Sequence, residues 1–268
     1  MSSMPLILGH RGASAVAPEN TLAAFSRAIL DGAEGIEFDV RLSRDGVPMV
    51  IHDASLKRTA LIDSLVCDLT SEQLQKIDVG SWFTRASFER RTHSPGPSYS
   101  GEKLPTLAQV FELFNANSGL LYLEMKSDVN EGAELAAAVV KRIHESDIAN
   151  RVVVESFDLP AIAEIKRIDS GIRTAALFEP KLSRPISTIR RLKIVNLAQR
   201  VGADEIALHY TLAGPGVVER AREHGLEVVV WTVDGPQWIG LAHSLGIKAL
   251  ISNDLATMVQ HRNAAGHS

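Results

Sequence analysis

The chain has 268 residues, 45% of them hydrophobic, which is enough for one substantial core and fits a single α/β domain. A formal net charge of −4 leaves no basic footprint for nucleic acid or an anionic membrane, so an anionic substrate would need positive charge gathered locally. No apolar run approaches the ~20 residues that span a bilayer, and a lone cysteine, Cys67, excludes an intrachain disulfide.

Residues 6–8, Leu-Ile-Leu, read as a short buried strand with His10, Arg11 and Gly12 at its carboxyl end. Pro18-Glu19-Asn20-Thr21 opens a helix with an apolar stripe of Leu22, Phe25 and Ile29. Asn20 or Thr21 is its N-cap, and Gly32 stops it. Ile36, Phe38 and Val40 then alternate with Glu37, Asp39 and Arg41, the period of a β-strand. Strand, helix, strand suggests a parallel βαβ unit with a right-handed crossover. Asp45-Gly46 signals a hairpin, and residues 47–52 a returning strand. A two-residue loop pairs Arg44 with Val47 and sets Asp39 opposite His52. That register gathers Glu37, Asp39 and His52 into one patch. A bulge at the turn would shift it by one and turn His52 to the other face.

Residues 54–104 break the pattern. They carry a short helix over 71–76, the aromatic pair Trp82-Phe83 and a loop rich in Pro, Gly and Ser over 94–101. The stretch is too long for an ordinary connection and reads as a small inserted subdomain or lid beside one 1–268 domain. Alternation resumes with a helix over 107–115, capped by Thr106. Strands are expected over 120–125, 152–156, 174–178, 205–209, 227–231 and 249–251. The helices behind them span 132–146, 159–168, 186–201, 216–224 and 236–245, with a last one ending near 262. With the strands at 6 and 35 this makes eight strand–helix units. That is the arithmetic of a (β/α)8 TIM barrel, with 47–52 as an excursion from strand two.

Chemistry in such barrels sits at the carboxyl ends of the strands. The polar residues expected there are His10 and Arg11, Glu37 and Asp39, His52, Glu124 and Lys126, Glu155 and Ser156, His209, Trp231, and Asn253 and Asp254. Three carboxylates, Glu37, Asp39 and Glu124, with His10 and His52 make a metal and acid/base site. Oxygen ligands favour a hard cation, Mg²⁺ or Ca²⁺. Arg11 and Lys126 supply the positive charge a phosphate needs. Trp231 is expected to line the pocket. Asn20 either caps its helix or contacts substrate. His209 and Asp254 read as structural, a rim histidine and an N-cap. Trp82-Phe83 reads as an insertion core.

Several of these motifs together resemble the glycerophosphodiester phosphodiesterase family. They are His10-Arg-Gly, Pro18-Glu-Asn-Thr with Ala24-Phe25, Glu37-Phe-Asp, Asp45-Gly46, His52-Asp53, Leu104-Pro-Thr-Leu and Leu123-Glu-Met-Lys. Val230-Trp-Thr-Val and Ile251-Ser-Asn-Asp extend the likeness to the last strands. The resemblance implies a (β/α)8 barrel with a small insertion after the His52 segment. It also implies a divalent metal held by Glu37, Asp39 and Glu124, with His10 and His52 as the acid/base pair. The activity implied is hydrolysis of a glycerophosphodiester to glycerol 3-phosphate and an alcohol. The chain departs from the family at Thr59-Ala60, where a second threonine is common, and at Ser252-Asn253, where a threonine is usual. Neither departure is expected to touch the catalytic set. Two other readings are a lysophospholipase-D or sphingomyelinase-D-like activity on lipids and a metal-dependent binding module without catalysis. The secreted lipid-acting relatives would carry a signal peptide and disulfides. The start of this chain has no basic n-region, and with Cys67 alone the expectation is a cytoplasmic enzyme with no membrane insertion.

Overall fold

Eight parallel strands close a barrel in the order β1-β9-β8-β7-β6-β5-β4-β2, and β2 returns to β1. They are β1 Leu6–His10, β2 Gly35–Leu42, β4 Leu120–Met125, β5 Val152–Ser156, β6 Arg173–Phe178, β7 Glu205–His209, β8 Glu227–Trp231 and β9 Ala249–Ser252. This (β/α)8 architecture is seen in a computed structural model that describes residues 3–83, 98–127, 131–180 and 188–266. All eight expected strands are present. The helices are α1 Leu22–Leu30, α2 Lys57–Ala60, α3 Ser71–Leu74, α4 Leu107–Asn115, α5 Gly132–His144, α6 Leu159–Ile168, α7 Thr188–Arg200, α8 Pro215–Glu223, α9 Gln237–Leu245 and α10 Leu255–Ala265. No described helix is long and apolar enough to cross a membrane. The start of the helix expected over 186–201, and residues 94–97 of the expected loop, lie outside the described residues.

Strand alternation positions the site. Ile36, Phe38 and Val40 of β2, with Leu121, Leu123 and Met125 of β4, face outward into the core under the helices. Leu8, Tyr122, Val153, Ala175, Leu177, Ala207, Val229, Ala249 and Ile251 fill the barrel interior. The inward positions nearest the carboxyl rim are therefore His10, Glu37, Asp39, Glu124, Glu155, His209 and Trp231. At the opposite end Glu205, wholly buried, accepts hydrogen bonds at 2.7 Å each from Tyr122 Oη, Arg173 and Lys248 Nζ. Buried charge is tolerated only with such pairing. This network closes the amino-terminal end and leaves the carboxyl end for chemistry.

The hairpin register differs from the expected one. β3, Pro48–Val50, runs antiparallel to β2 with Val40 opposite Val50 and Leu42 opposite Pro48. The loop is three residues long, Arg44, Asp45 and Gly46, with Gly46 at φ +73° and its N–H donating to the Ser43 carbonyl at 3.0 Å. Three-residue hairpins place a glycine in this left-handed conformation and shift the pairing by one. Asp45 does not serve a tight two-residue turn, because it accepts from Ser43 Oγ at 2.6 Å and from Ser71 N at 2.7 Å. As a result Ile51, not His52, opposes Asp39, and Ile51 N donates to the Asp39 carbonyl at 2.9 Å. His52 reaches the site by another route. The ladder ends at Val50, the chain bends, and Arg41 Nε holds the His52 carbonyl at 2.7 Å.

β3 finds a free edge because β1 pairs with β2 only through Glu37. Beyond Val40, where its pairing with β4 ends, β2 projects above the rim. The described part of 54–104 gathers around this projection with an apolar cluster of its own, Met49, Ile51, Leu56, Val66, Leu74, Val79 and Leu104. Trp82, Phe83 and Tyr99 stack edge-to-face beside it, with centroids 5.7 and 5.8 Å apart.

Candidate active site

A pocket of about 260 Å³ opens at the carboxyl end of the barrel. One half is charged, lined by His10, Arg11, Glu37, His52, Glu124, Lys126 and Glu155. The other is mainly apolar, lined by Phe157, Leu177, Trp231 and Ile251, with Glu179 among them. Trp231 is clamped edge-to-face between Phe157 at 5.5 Å and His209 at 5.3 Å.

Glu37, Asp39 and Glu124 are buried and each offers an oxygen within 4.8 Å of the others. In register, Asp39 lies directly opposite Glu124 across β2 and β4. Two cations answer three carboxylates. Lys126 Nζ lies 2.8 Å from Glu124 and 3.3 Å from Asp39, and Arg11 Nε lies 3.2 Å from Asp39 Oδ2. Asp39 is favoured. Burial opposes its ionisation, but Arg11 and Lys126, helped by His52 and Asn20, hold it down at about 2. Glu37 is pushed well above the usual range by burial and by its two neighbours, and Glu124 rises to about 8 by burial and Asp39. A fourth carboxyl, Glu155, sits beside Glu124 on β5 and is also pushed well up by burial, then by Glu37 and Glu124.

This donor set fits a divalent cation. The oxygens converge, they are short of positive charge, and Asp39 Oδ1 is buried with no hydrogen bond beyond its 3.3 Å ion pair to Lys126. Glu37, Asp39 and Glu124 are the residues that could hold the ion. Asn20, one of the two candidates for the N-cap, does not cap the helix. Thr21 is the N-cap of α1. Asn20, at φ +57°, donates to Asp39 Oδ2 at 2.8 Å and accepts from Asp39 N at 3.2 Å, which fixes the carboxylate.

Both imidazoles are pinned at Nδ1. His10 Nδ1 lies 2.8 Å from Asn253 Oδ1. The amide orientation of Asn253 is settled by Asp234, whose carboxylate can only accept and takes Nδ2–H at 2.9 Å. Nδ1 of His10 therefore carries the proton, and its Nε2 points toward Glu37 at 3.9 Å. His52 Nδ1 lies 2.7 Å from Asp53 Oδ1. Asp53 is held at about 2, because Arg58 and His52 outweigh its partial burial, so it is an acceptor and Nδ1 donates. In each ring Nε2 is left for proton exchange. Burial lowers both histidine pKa values, with Arg11 adding to each and Lys126 to His52. Both rings are thus biased toward the neutral form.

The pocket brings together His10, Arg11, Glu37, His52, Glu124, Lys126 and Trp231 as expected from the sequence, with Asp39 immediately behind. Asp254 caps α10, as read from the sequence. Asn253 is a correction. It was expected to stand clear of the catalytic set, yet it bonds His10. The signal was in the topology, because β9 neighbours β1 in a closed eight-stranded ring. Asp53, Glu155 and Phe157 also join the site.

A family model described as the glycerophosphoryl diester phosphodiesterase family matches residues 10–257. The chain belongs to this family. Glycerophosphoryl diester phosphodiesterases are phosphoric diester hydrolases, so the chain is an enzyme of that class. It is 31% identical over 254 residues to a glycerophosphodiester phosphodiesterase of Caldanaerobacter subterraneus subsp. tengcongensis, covering 95% of this chain and 96% of that one. A probable glycerophosphodiester phosphodiesterase 1 of Mycobacterium tuberculosis is 30% identical, covering 96% of each. Among solved structures, a putative member from Silicibacter pomeroyi superposes with a TM-score of 0.84 at 26% identity, covering 98% of this chain and 95% of that one. An Oleispira antarctica phosphodiesterase, solved with its product sn-glycerol-3-phosphate, shares the fold with a TM-score of 0.81 at 24% identity, covering 97% of each chain.

Proposed function

We propose that this enzyme hydrolyses glycerophosphodiesters to glycerol 3-phosphate and an alcohol, with one divalent cation, Mg²⁺ or Ca²⁺, held by Glu37, Asp39 and Glu124. The observation that carries the reading is the pairing of that carboxylate cluster with two histidines whose Nδ1 atoms are occupied and whose Nε2 atoms are left for proton transfer. When bound, the cation supplies Lewis-acid charge and a template for the phosphate. One histidine, entering neutral, takes the proton from the attacking oxygen at Nε2, and the other, entering as the imidazolium, gives its Nε2 proton to the departing alkoxide, whose unassisted expulsion near neutral pH is slow. Arg11 and Lys126 bind phosphoryl oxygens and offset their charge. Trp231 and Phe157 wall the side that receives the apolar part of the substrate, and the described residues of 54–104 stand beside the His52 segment as an inserted subdomain. A cytoplasmic location belongs to this reading, supported by a cysteine count of one.

Two expected outcomes follow from the chemistry. Incubated with glycerophosphocholine and Mg²⁺ or Ca²⁺, the protein should release glycerol 3-phosphate, read by a coupled dehydrogenase. Turnover confined to lysophosphatidylcholine or sphingomyelin would instead favour a lipid-directed activity. The second outcome concerns pH. Glu37 and Glu124 hold their protons above the ordinary carboxylate range without a cation, Glu124 up to about 8. The metal-free fold therefore loses stability as pH rises from that range through about 8, and a cation, which binds the ionised forms, restores it. A cation fixed at ~100 times its Kd at pH 8 should raise Tm by about 5–10 °C at that pH, and the same concentration should raise it by clearly less at pH 6. Equal shifts at both values would contradict the cluster as the binding site.

A further inference from the structure

Arg58 lies on α2, in the insertion, and none of its atoms lines the pocket. Its guanidinium forks onto Glu19, with Nη1 at 2.7 Å from Oε2 and Nη2 at 2.8 Å from Oε1, while its Nε meets Asp53 Oδ2 at 2.6 Å. Each acceptor is already tied to the site. Glu19 Oε1 also receives Arg11 Nη1 at 2.9 Å, and Asp53 Oδ1 receives His52 Nδ1 at 2.7 Å. On its other side Arg58 stands 5.9 Å over the Trp82 ring, in the aromatic stack of the insertion. One planar side chain thus joins the loop after β1, the loop after β3 and the insertion. A half-exposed arginine usually makes an ion pair of little energetic weight. This one is different in geometry, because a bidentate fork plus a third bond fixes direction as well as distance.

We propose that Arg58 is a positioning residue that sets the His52–Asp53 dyad in register with the Arg11–Glu19 arm, so that the insertion acts as a brace for the proton-transfer group. The inference rests on His52 as a proton-transfer residue. Without the Nε contact, Asp53 is free to leave Nδ1, and the ring loses both its tautomer and its aim. A lysine ammonium, a single point of charge, cannot reproduce the fork onto Glu19 and the third bond to Asp53 together.

The test uses the full chain with Arg58→Met, Arg58→Lys, His52→Ala and the His52→Ala/Arg58→Met double variant. Arg58→Met should lower kcat by about 10–100-fold, with KM changed less and Tm nearly unmoved. Arg58→Lys should recover part of the loss. In the His52→Ala background the methionine change should have almost no further effect on kcat. Nitrogen-15 NMR of the His52 ring should show the Nδ1–H tautomer in the parent and a mixture in Arg58→Met. A kcat within twofold of the parent, or a loss of the same size without His52, would overturn the proposal. If His52→Ala keeps full activity, the proton-transfer reading of His52 has failed. The tautomer measurement then decides for or against Arg58 by itself, and an unchanged Nδ1–H tautomer in Arg58→Met overturns the positioning role.

Discussion

Glu37→Gln, Asp39→Asn and Glu124→Gln should each weaken divalent-cation binding and lower activity by more than the roughly 100-fold that loss of an outer partner costs. Each removes one anionic oxygen from a hard cation that relies on few of them. Asp39→Asn should be the most damaging. Its carboxylate is the one most firmly ionised, and it is also the group that Arg11, Lys126 and Asn20 all face. Glu124→Gln should leave Lys126 with Asp39 alone, and the freed ammonium then competes with the cation for that oxygen. Calorimetric titration of chelator-treated protein reads these affinities directly. An affinity for Mg²⁺ and Ca²⁺ unchanged in all three variants would remove the cluster from the reaction.

His10→Ala and His52→Ala should each lower kcat by about 10²–10⁴-fold, the usual worth of a general acid or base. The two rings come from different elements, His10 from β1 beside Asn253 and His52 from the bend after β3 beside Asp53. Phosphoryl displacement has its entering and leaving oxygens roughly in line, which suits two proton-transfer groups on opposite sides of the site. The double variant should be little worse than the poorer single one, because residues that act as a unit are not additive. A nitrophenyl diester, whose leaving group needs no proton, should rescue whichever variant lacks the acid and not the other. Equal rescue of both, measured as kcat on the activated and natural diesters, would contradict separate acid and base roles.

The barrel and most of the pocket were legible because they depend on period. Ile36, Phe38 and Val40 alternate with Glu37 and Asp39, and the same alternation in β4 separates Leu123 from Glu124. Once eight such strands are counted, closure and the carboxyl-end rule bring the charged residues together. The hairpin register was not legible. It was decided by Asp45 bonding Ser71, 26 residues further on, which no local turn preference contains. The Nδ1 partners differ in the same way. Asp53 stands next to His52 in the chain, whereas Asn253 meets His10 across 243 residues and only through barrel closure. Asn20 carried two local readings, cap or contact; Thr21 took the cap, and the left-handed backbone of Asn20 sets its side chain on Asp39. Burial also escaped sequence reasoning. Glu155 read as one polar residue among several, yet it lies 1% exposed under the cluster, where its charge state depends on Glu37 and Glu124.

Phosphorus NMR of glycerophosphocholine turnover tests the central claim most directly, with the protein first stripped by chelator and then titrated with Mg²⁺ or Ca²⁺. The stripped protein should give no conversion, and added cation should bring a glycerol 3-phosphate signal whose rate rises until about one ion is bound per chain. The same signal at full rate in the stripped protein, or its absence at every cation concentration, would contradict it.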